Sequence, residues 1–214
     1  MTSTDESAPL YGLVLTGGKS SRMKTDKAAL RYNGQAQSAR AFELLAKVCA
    51  KVYLSNRADQ SEAPGHASFP QIHDLFANFG PVGGILSALK THPAHAWLVT
   101  ACDLPFLDEA TLLQLIRHRD PRRMATAFLS AHDGKPEPLC AIYEPHSMAR
   151  LLDFTTRDVY CPRKMLMQSD AHLLPLENPQ ALDNVNFPEE YEQAQRRAES
   201  TTPSDGRNNE VRNG

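Results

Sequence analysis

A continuous apolar run over residues 11–15 (Tyr-Gly-Leu-Val-Leu) leads directly into a glycine-rich turn, and this junction limits the folds open to the chain. An apolar run of strand length without alternation is typical of a strand buried on both faces of a parallel sheet. Parallel strands need crossover connections, and open parallel sheets bind ligands at the carboxyl ends of their strands. The sequence therefore predicts an α/β fold with a ligand site just beyond residue 15.

The rest of the chain alternates between strand-like and helix-like segments. Further strands are predicted at residues 52–54, 71–73, 96–100, 124–129, 139–143 and 172–176, and helices at 38–50, 81–91, 108–118, 147–154, 164–168 and 189–198. Ser38 and Asp108 are candidate N-caps, and Pro81 suits a first helical turn. This order of elements predicts a single-domain, three-layer α/β/α fold with a mostly parallel sheet.

Length and charge bound the organisation of the chain. The 214 residues carry a net charge of −2, which fits one domain with a sizeable core and gives no basic excess for a nucleic-acid partner. We expect a flexible N-terminus at residues 1–9, the domain at 10–198 and a polar, disordered tail at 199–214. No apolar run reaches the length of a membrane span, and residues 1–9 lack signal-peptide features, so we expect a cytoplasmic protein without a membrane partner.

The cysteines and histidines give little support for a metal site of their own. Cys49, Cys102, Cys140 and Cys161 are far apart and form no Cys-x-x-Cys pair, so we expect four reduced thiols. The eight histidines show no pair with the spacing of a metal-binding helix face.

The turn after the first strand has the composition of a phosphate-binding loop. Gly17 and Gly18 let backbone N–H groups approach an anion closely, and Arg22 and Lys27 supply positive charge. The spacing fits neither a P-loop, which needs glycine where Leu13 stands, nor a dinucleotide fingerprint. The segment therefore predicts a polyphosphate site of another type, and its structural alternative is a glycine-rich turn with solvated charges.

Polar side chains follow the other predicted strands. Asn56, Asp74 and Asp103 come at the carboxyl ends of three of them, which are expected to meet at one edge of the sheet. Asp103 follows a buried strand, where one carboxylate can hold Mg²⁺ together with substrate phosphates. The alternatives are that Asp103 caps the next turn and that Asn56 and Asp74 are ordinary turn residues.

The segment Leu-Thr-Gly-Gly-x-Ser-x-Arg-Met-x-x-Asp-Lys at residues 15–27 resembles the signature of the molybdenum cofactor guanylyltransferase (MobA-type) family of nucleotidyltransferases. Segments 80–84, 102–106, 135–143 and 183–190 resemble further motifs of that family. The chain departs from the family pattern at Thr16, Lys24 and Phe187, where alanine, glycine and threonine are usual. The resemblance implies a Rossmann-like fold of the nucleotide-diphospho-sugar transferase type.

The resemblance also implies an activity and a set of site residues. The activity is Mg²⁺-dependent transfer of GMP from GTP to the phosphate of molybdopterin, which gives a guanine dinucleotide cofactor and pyrophosphate. The implied catalytic residues are Arg22, Lys27 and Asp103, with Mg²⁺ on Asp103, and the implied nucleotide contacts are Leu15, Thr16, Gly17, Gly18, Lys27, Asn56, Asp74, Gly80 and Asp103. Proteins of molybdenum insertion or molybdoenzyme maturation are the further partners that it implies.

Other functions stay open from the sequence. A relative of the same fold would transfer cytidylate to molybdopterin, or a nucleotide to a sugar phosphate, although the double glycine favours guanine. A non-catalytic nucleotide-binding regulator is the alternative of another class, because Lys24 and Phe187 depart from the enzyme pattern. Arg163 and Lys164 are candidates for the acceptor's phosphate, but two cations on a surface helix are commonly just solvated.

Overall fold

The computed structural model describes residues 7–16, 31–32, 35–63 and 65–183. Several sequence predictions therefore lie outside the described residues. They are those for Gly17, Gly18, Arg22, Lys24, Lys27 and Phe187, for the helix at 189–198, for the tail at 199–214 and for most of the N-terminal segment.

Strands and helices alternate along the described part of the chain. The strands are β1 (Leu10–Leu15), β2 (Arg31–Tyr32), β3 (Gln35–Ala36), β4 (Val52–Asn56), β5 (Gln71–His73), β6 (Ala96–Ala101), β7 (Ala125–Leu129), β8 (Pro136–Tyr143) and β9 (His172–Leu174). The helices are α1 (Gln37–Ala46), α2 (Pro81–Thr91), α3 (Glu109–Arg117), α4 (Ser147–Thr156) and α5 (Pro162–Met167), with a 3₁₀ turn at Ala58–Gln60.

Seven strands form one sheet in the order β5-β4-β1-β6-β8-β7-β9, and β2 pairs with β3 in a separate hairpin. Strand β8 runs antiparallel to both of its neighbours, whereas the other pairs in the large sheet are parallel. The predicted mostly parallel sheet is confirmed. Its central pairing aligns Leu15 with Ser55 on one side and with Ala101 on the other, so three strands end at the same edge.

Helices cover both faces of the sheet, which confirms the three-layer fold. Leu13 packs with residues of α2, α4 and α5, and the next residue, Val14, packs with residues of α1 and α3. Successive side chains of a strand point to opposite faces, and both of these are fully buried. The apolar run of β1 is therefore continuous because each of its faces meets a core.

The helix predictions succeed where the ends carry strong signals. Helix α2 spans the predicted residues, and Asp108 caps α3 by accepting a hydrogen bond from the backbone N–H of Thr111 at 2.8 Å. Ser38 as an N-cap is wrong, because β3 leads straight into α1 and the serine lies buried in the first turn. Helix α1 also ends before residue 50, since the N–H of Ala50 instead donates to the carbonyl of Leu10 on β1.

Strand β8 is longer than the sequence predicts, because it begins at Pro136 and contains Pro138. Its register with β7 shifts between Ala127 and Phe128, which leaves Pro138 in the irregular stretch. Proline lacks an N–H for the ladder and is tolerated at a strand start or a bulge. The two prolines therefore occupy the positions in a strand that can accept them.

A buried ion pair fastens the amino-terminal edge of the sheet. Arg119, just after α3, donates from Nε and Nη2 to the two carboxylate oxygens of Glu144 at 2.6 and 2.8 Å. The two side chains are only 9% and 2% exposed. Glu144 directly follows β8, so this bidentate pair ties the end of that strand to α3.

The four cysteines are free thiols, as predicted. Cys102 and Cys140 are buried, and burial raises the pKa of the Cys140 thiol to about 12. Such a thiol is neutral at physiological pH and a poor nucleophile. Among the helices in the described part of the chain, none combines the length and the apolar character needed to cross a membrane.

Candidate active site at the carboxyl edge of the sheet

The carboxyl ends of β4, β1 and β6 are joined by short backbone contacts. The backbone N–H and the hydroxyl of Thr16 both donate to the carbonyl of Ser55, at 3.0 and 2.9 Å. The N–H of Cys102 donates to the carbonyl of Leu15 at 3.3 Å. The chain entering the glycine-rich segment is therefore held between Ser55 and the residue that precedes Asp103.

Asp74 lies at the same edge, directly after β5. Its backbone N–H donates to the carbonyl of Asn56, and one carboxylate oxygen accepts from the hydroxyl of Ser55 at 3.3 Å. Burial raises the pKa of this carboxyl, against smaller lowering contributions from Ser55, Arg57 and His73. The next N–H, of Leu75, donates to the hydroxyl of Ser87 on α2, which fixes this loop against the helix.

Helix α2 points its amino terminus toward this edge and packs against it through two glycines. A Cβ on Gly83 would lie 2.7 Å from the carbonyl oxygen of Phe76, and one on Gly84 would lie 2.8 Å from Leu15. The helix can approach β1 at Gly84, and the preceding segment at Gly83, this closely only because both positions lack side chains. Gly80, its N-cap, has φ of +58°, which glycine adopts without strain, and the space where its Cβ would stand is open.

Asn56 is brought to the end of β4, but its side chain faces the interior. Its amide nitrogen donates to Gln71 at 2.7 Å and lies 3.3 Å from a ring nitrogen of His66, while its oxygen lies 2.9 Å from a ring nitrogen of His73. The residue is fully buried. The structure therefore does not bring Asn56 to the surface of the edge, because its polar atoms contact His66 in the segment before β5 and Gln71 and His73 in β5 itself.

Asp103 opens onto a cavity of about 130 Å³, which we call the Asp103 cavity. Glu137 at the start of β8 and Arg163 on α5 are its other charged lining residues, and its apolar wall includes Leu139 and Leu182. Because β8 is antiparallel, its first residues rather than its last ones adjoin the end of β6. The cavity thus combines two carboxylates and one guanidinium on an apolar floor.

The two cations of α5 occupy different environments. Arg163 donates to Glu137 at 2.9 Å and lies 3.5 Å from Asp133, with its side chain 37% exposed at the cavity. Lys164 is exposed on the surface of the helix and is not among the residues that line the cavity. Of the two candidates for contact with an acceptor, only Arg163 shares a cavity with Asp103.

The rim of this region carries an ion pair between the β7–β8 turn and the segment that follows β9. A ring nitrogen of His132 lies 2.7 Å from a carboxylate oxygen of Asp183. This hydrogen bond, and then the charge of Asp183, raise the pKa of His132 above its ordinary value. Asp183 is the first residue of the segment 183–190, whose remaining residues lie outside the described part of the chain.

The raised pKa of His132 determines how the contact between His132 and Asp183 depends on pH. The contact of His132 with the carboxylate is complete just below the ordinary histidine pKa of about 6.5, where the ring is protonated, and it is lost as the pH rises through the raised pKa. Replacing Asp183 with asparagine is expected to return the pKa of His132 toward about 6.5. NMR titration of the ring protons measures it. Asp170→Asn, on the surface away from this pair, is the control, and an unchanged His132 pKa in Asp183→Asn would contradict the assignment.

Sequence reasoning missed several residues of this edge. Ser55 and Ser87 hold Asp74 and its loop, but a single serine in a strand or a helix gives no functional signal. Glu137 was contained in the segment that resembles a family motif, and its adjacency to Asp103 follows only from the antiparallel pairing of β8. The structure places Leu15, Thr16, Asp74 and Asp103 at or just after the carboxyl ends of strands in one sheet, and their roles stay predictions.

Comparisons with known proteins agree with this arrangement. Residues 12–172 match the family described as the MobA-like NTP transferase domain. A Synechocystis sp. protein named molybdenum cofactor biosynthesis bifunctional protein is 38% identical over 185 residues, which are 86% of this chain and 53% of that protein. The chain thus spans about half the length of this relative. The molybdenum cofactor guanylyltransferase of Shewanella frigidimarina is 28% identical over 191 residues, which are 85% of this chain and 93% of that one.

Solved structures share this fold. A crystal structure of molybdopterin-guanine dinucleotide biosynthesis protein A from Archaeoglobus fulgidus superposes with a TM-score of 0.75 and 20% sequence identity, over 89% of this chain and 99% of that chain. A 2-C-methyl-D-erythritol 4-phosphate cytidylyltransferase from Thermus thermophilus superposes with a TM-score of 0.66 at 11% identity. The fold is therefore that of the nucleotide-diphospho-sugar transferases, and by its sequence the chain is a nucleotidyltransferase that belongs to the MobA-like NTP transferase domain family.

Proposed function

We propose that this protein transfers GMP from GTP to the terminal phosphate of molybdopterin and releases pyrophosphate. One observation carries the proposal. The strand that leads into the glycine-rich segment adjoins the strand that ends before Asp103, and the Asp103 cavity opens on the far side of that aspartate. A nucleotide bound along the end of β1 and an acceptor bound in the cavity would therefore meet beside one carboxylate.

The donor atoms at this edge suit Mg²⁺. The ion is usually bound through one or two carboxylates together with substrate phosphates, and it favours oxygen ligands. Asp103 and Glu137 are two carboxylates that line one cavity. In the described ranges, no three His, Cys, Asp or Glu side chains are grouped so that they could hold a metal ion. When bound there, Mg²⁺ would neutralise the phosphate charge that develops during transfer.

The residues of the chain then have the following roles in the proposal. A phosphate oxygen of the acceptor attacks the α-phosphorus of GTP, the bond to the β-phosphate oxygen breaks, and pyrophosphate leaves. This acceptor oxygen is already ionised near neutral pH, so no side-chain base is required. The protein must align the two phosphates and offset their charge. The glycine-rich segment with Arg22 and Lys27, which lie outside the described residues, is proposed to do so for GTP.

Arg163 is proposed to receive the acceptor's phosphate. Its guanidinium already faces two carboxylates, so it is oriented before an acceptor arrives. Arginine binds phosphate through a planar pair of donors, and the apolar floor beside it suits the non-ionic part of the acceptor. Asp74 is proposed to contact the nucleoside, and Asn56 to act on the nucleotide only through the loop that it supports. A cytoplasmic location and partners in molybdenum insertion remain predictions.

The choice of base tests this proposal against its closest alternatives. We expect GTP to bind more tightly than CTP or ATP by on the order of a hundredfold, because a wrong base would leave at least two buried polar groups unpaired at ~1–3 kcal/mol each. Competition calorimetry with Mg²⁺ measures the affinities. Pyrophosphate release on addition of molybdopterin measures turnover.

The outcomes separate the functions. Equal affinities for GTP and CTP would overturn the guanylyl assignment and favour cytidylyl transfer. Tight GTP binding with no pyrophosphate released in the presence of molybdopterin would favour the regulator. Release of pyrophosphate with a sugar phosphate but not with molybdopterin would move the acceptor to the other enzyme class.

A further inference from the structure

Asp103 stands at the start of a turn that is fastened at both ends. We call residues 102–108 the Asp103 loop. Its first N–H, of Cys102, donates to the carbonyl of Leu15 on β1, and its last residue, Asp108, caps α3. The end is tied further by Asn178, whose amide donates to the second carboxylate oxygen of Asp108 at 3.3 Å. These contacts fix where the loop begins and ends but not its middle.

A side chain from α1 holds the middle. Arg40 donates from Nη1 to the carbonyl of Leu104 at 3.2 Å and from Nη2 to the carbonyl of Leu107 at 2.6 Å. The same two residues close a turn, because the N–H of Leu107 donates to the carbonyl of Leu104 at 3.3 Å. One planar guanidinium therefore bridges the first and last carbonyls of the turn that directly follows Asp103. We call these two bonds the Arg40 clamp.

The turn separates two cavities. Leu104 lines the Asp103 cavity, while Leu107 and Arg40 line a larger groove of about 320 Å³ between α1 and the start of α3. Both leucines are buried, and removing the guanidinium would leave the Leu107 carbonyl without this donor, while the Leu104 carbonyl would keep only the N–H of Leu107. A buried acceptor without a donor is costly, and the turn would relieve that cost by changing shape. A shift in this turn would move Asp103, its immediate neighbour.

We propose that Arg40 is a positioning residue for the reaction, which holds the carboxylate of Asp103 in the geometry required by the metal and the phosphates. This inference rests on the proposed function. Groups that orient a metal ligand typically change metal affinity or activity by about 10- to 100-fold when removed. Arg40 suits this role because its fork can bond two carbonyls at once, which an ammonium group does less well.

The test compares two cations, Arg40 on α1 and Lys47 just after the helix. Arg40→Gln removes the clamp, and Lys47→Gln removes an exposed ion pair between the residue after α1 and Glu109 at the start of α3, at 3.1 Å. We expect Arg40→Gln to raise the Mg²⁺ concentration for half-maximal transfer roughly 10- to 100-fold and Arg40→Lys to give an intermediate value. Lys47→Gln should leave the wild-type value unchanged, since exposed pairs contribute little.

A second measurement does not depend on turnover. In Arg40→Gln without substrates, hydrogen exchange should accelerate at the N–H of Leu107 and stay unchanged in the strands. The variant should also bind Mn²⁺ more weakly in the presence of GTP. Electron paramagnetic resonance measures this binding by the loss of the free Mn²⁺ signal. The proposed positioning role of Arg40 would be overturned by unchanged exchange at Leu107. It would also be overturned if a folded Arg40→Gln protein needed the same Mg²⁺ concentration for half-maximal transfer as the wild type.

The result also separates this inference from the proposed function. If wild-type protein binds GTP but transfers no nucleotide to any acceptor, the proposed function fails, while the exchange measurement still decides whether Arg40 orders the loop. The opposite result is an active wild-type protein and an Arg40→Gln variant that loses rate only in proportion to its unfolded fraction. If the Mg²⁺ concentration for half-maximal transfer is also unchanged, the proposed function stands and the positioning role fails.

Discussion

Replacing Asp103 with asparagine is expected to lower the rate of nucleotidyl transfer by at least about a hundredfold while leaving the protein folded. The carboxylate is half-buried at the end of a central strand and lines the cavity in which we propose that the two substrates meet. An amide carries no charge and is a poor ligand for Mg²⁺, so the phosphates would lose the group that holds their counter-ion. Pyrophosphate release at saturating GTP measures the effect.

The chain offers a matched control five residues away. Asp108→Asn makes the same chemical change in the same loop, but this residue caps α3 through the N–H of Thr111. Asparagine and aspartate are about equally good N-caps. Asp108→Asn should therefore keep a rate far closer to that of the wild type than Asp103→Asn does, with only a small fall in melting temperature from loss of the exposed 3.3 Å bond from Asn178. Similar activity in the two variants would show that Asp103 is not a metal ligand and that this residue serves the structure of the turn after β6 instead.

The second large effect is on stability. Arg119→Met is expected to lower the free energy of unfolding by about 3–5 kcal/mol, because it leaves the carboxylate of Glu144 buried without its partner. For a chain of this size, that corresponds to a fall in melting temperature of roughly 6–20 °C. Chemical denaturation and calorimetry measure both quantities.

Two further variants show whether burial is the cause. Arg122 pairs with Asp120 only three residues from Arg119, but its side chain is 81% exposed. Arg122→Met should therefore change stability by no more than about 1 kcal/mol. The double variant Arg119→Met with Glu144→Leu should recover most of the loss, since no buried charge remains. Equal losses for Arg119→Met and Arg122→Met would rule out burial as the source of the effect.

The sequence predicted the large sheet well because its central strands are buried on both faces. Continuous apolar runs at β1 and β6 have no other stable environment in an α/β fold, and their order along the chain indicates parallel pairing. The end of α1 was less predictable. Its last apolar residues continue the helical spacing, and only the tertiary bond from Ala50 to Leu10 shows where the chain leaves the helix.

The hairpin formed by β2 and β3 was missed although a signal is present. Arg31 pairs with Ala36 and Tyr32 with Gln35, and the two intervening residues in the sequence are Asn33 and Gly34. An Asn-Gly pair between two short strands is the strongest local signal for a two-residue hairpin. Strands of two residues give no periodicity, so the turn residues were the only available evidence.

The candidate site was predictable to the extent that it follows from strand ends. The positions of Asp74 and Asp103 at this edge were predictable because each comes shortly after the end of a strand, and their roles stay predictions. Asn56 satisfies the same rule, yet its amide is used by Gln71 and His66, which no local pattern reveals. Arg40 was missed because its partners are 64 and 67 residues away in the chain. Contacts of that kind depend on how helices are placed on the sheet, which a single sequence does not record.

The antiparallel direction of β8 separates two demands that often compete within one enzyme. Its first residues, including Glu137, adjoin the Asp103 cavity, and the residue that follows its last one, Glu144, makes the buried ion pair at the opposite edge of the sheet. Many enzymes lose activity when they are made more rigid, because the same residues serve catalysis and stability. Here the two duties lie at opposite ends of a strand of 8 residues. Engineering for heat resistance can therefore concentrate on the Glu144 end and leave the chemistry of the Glu137 end untouched.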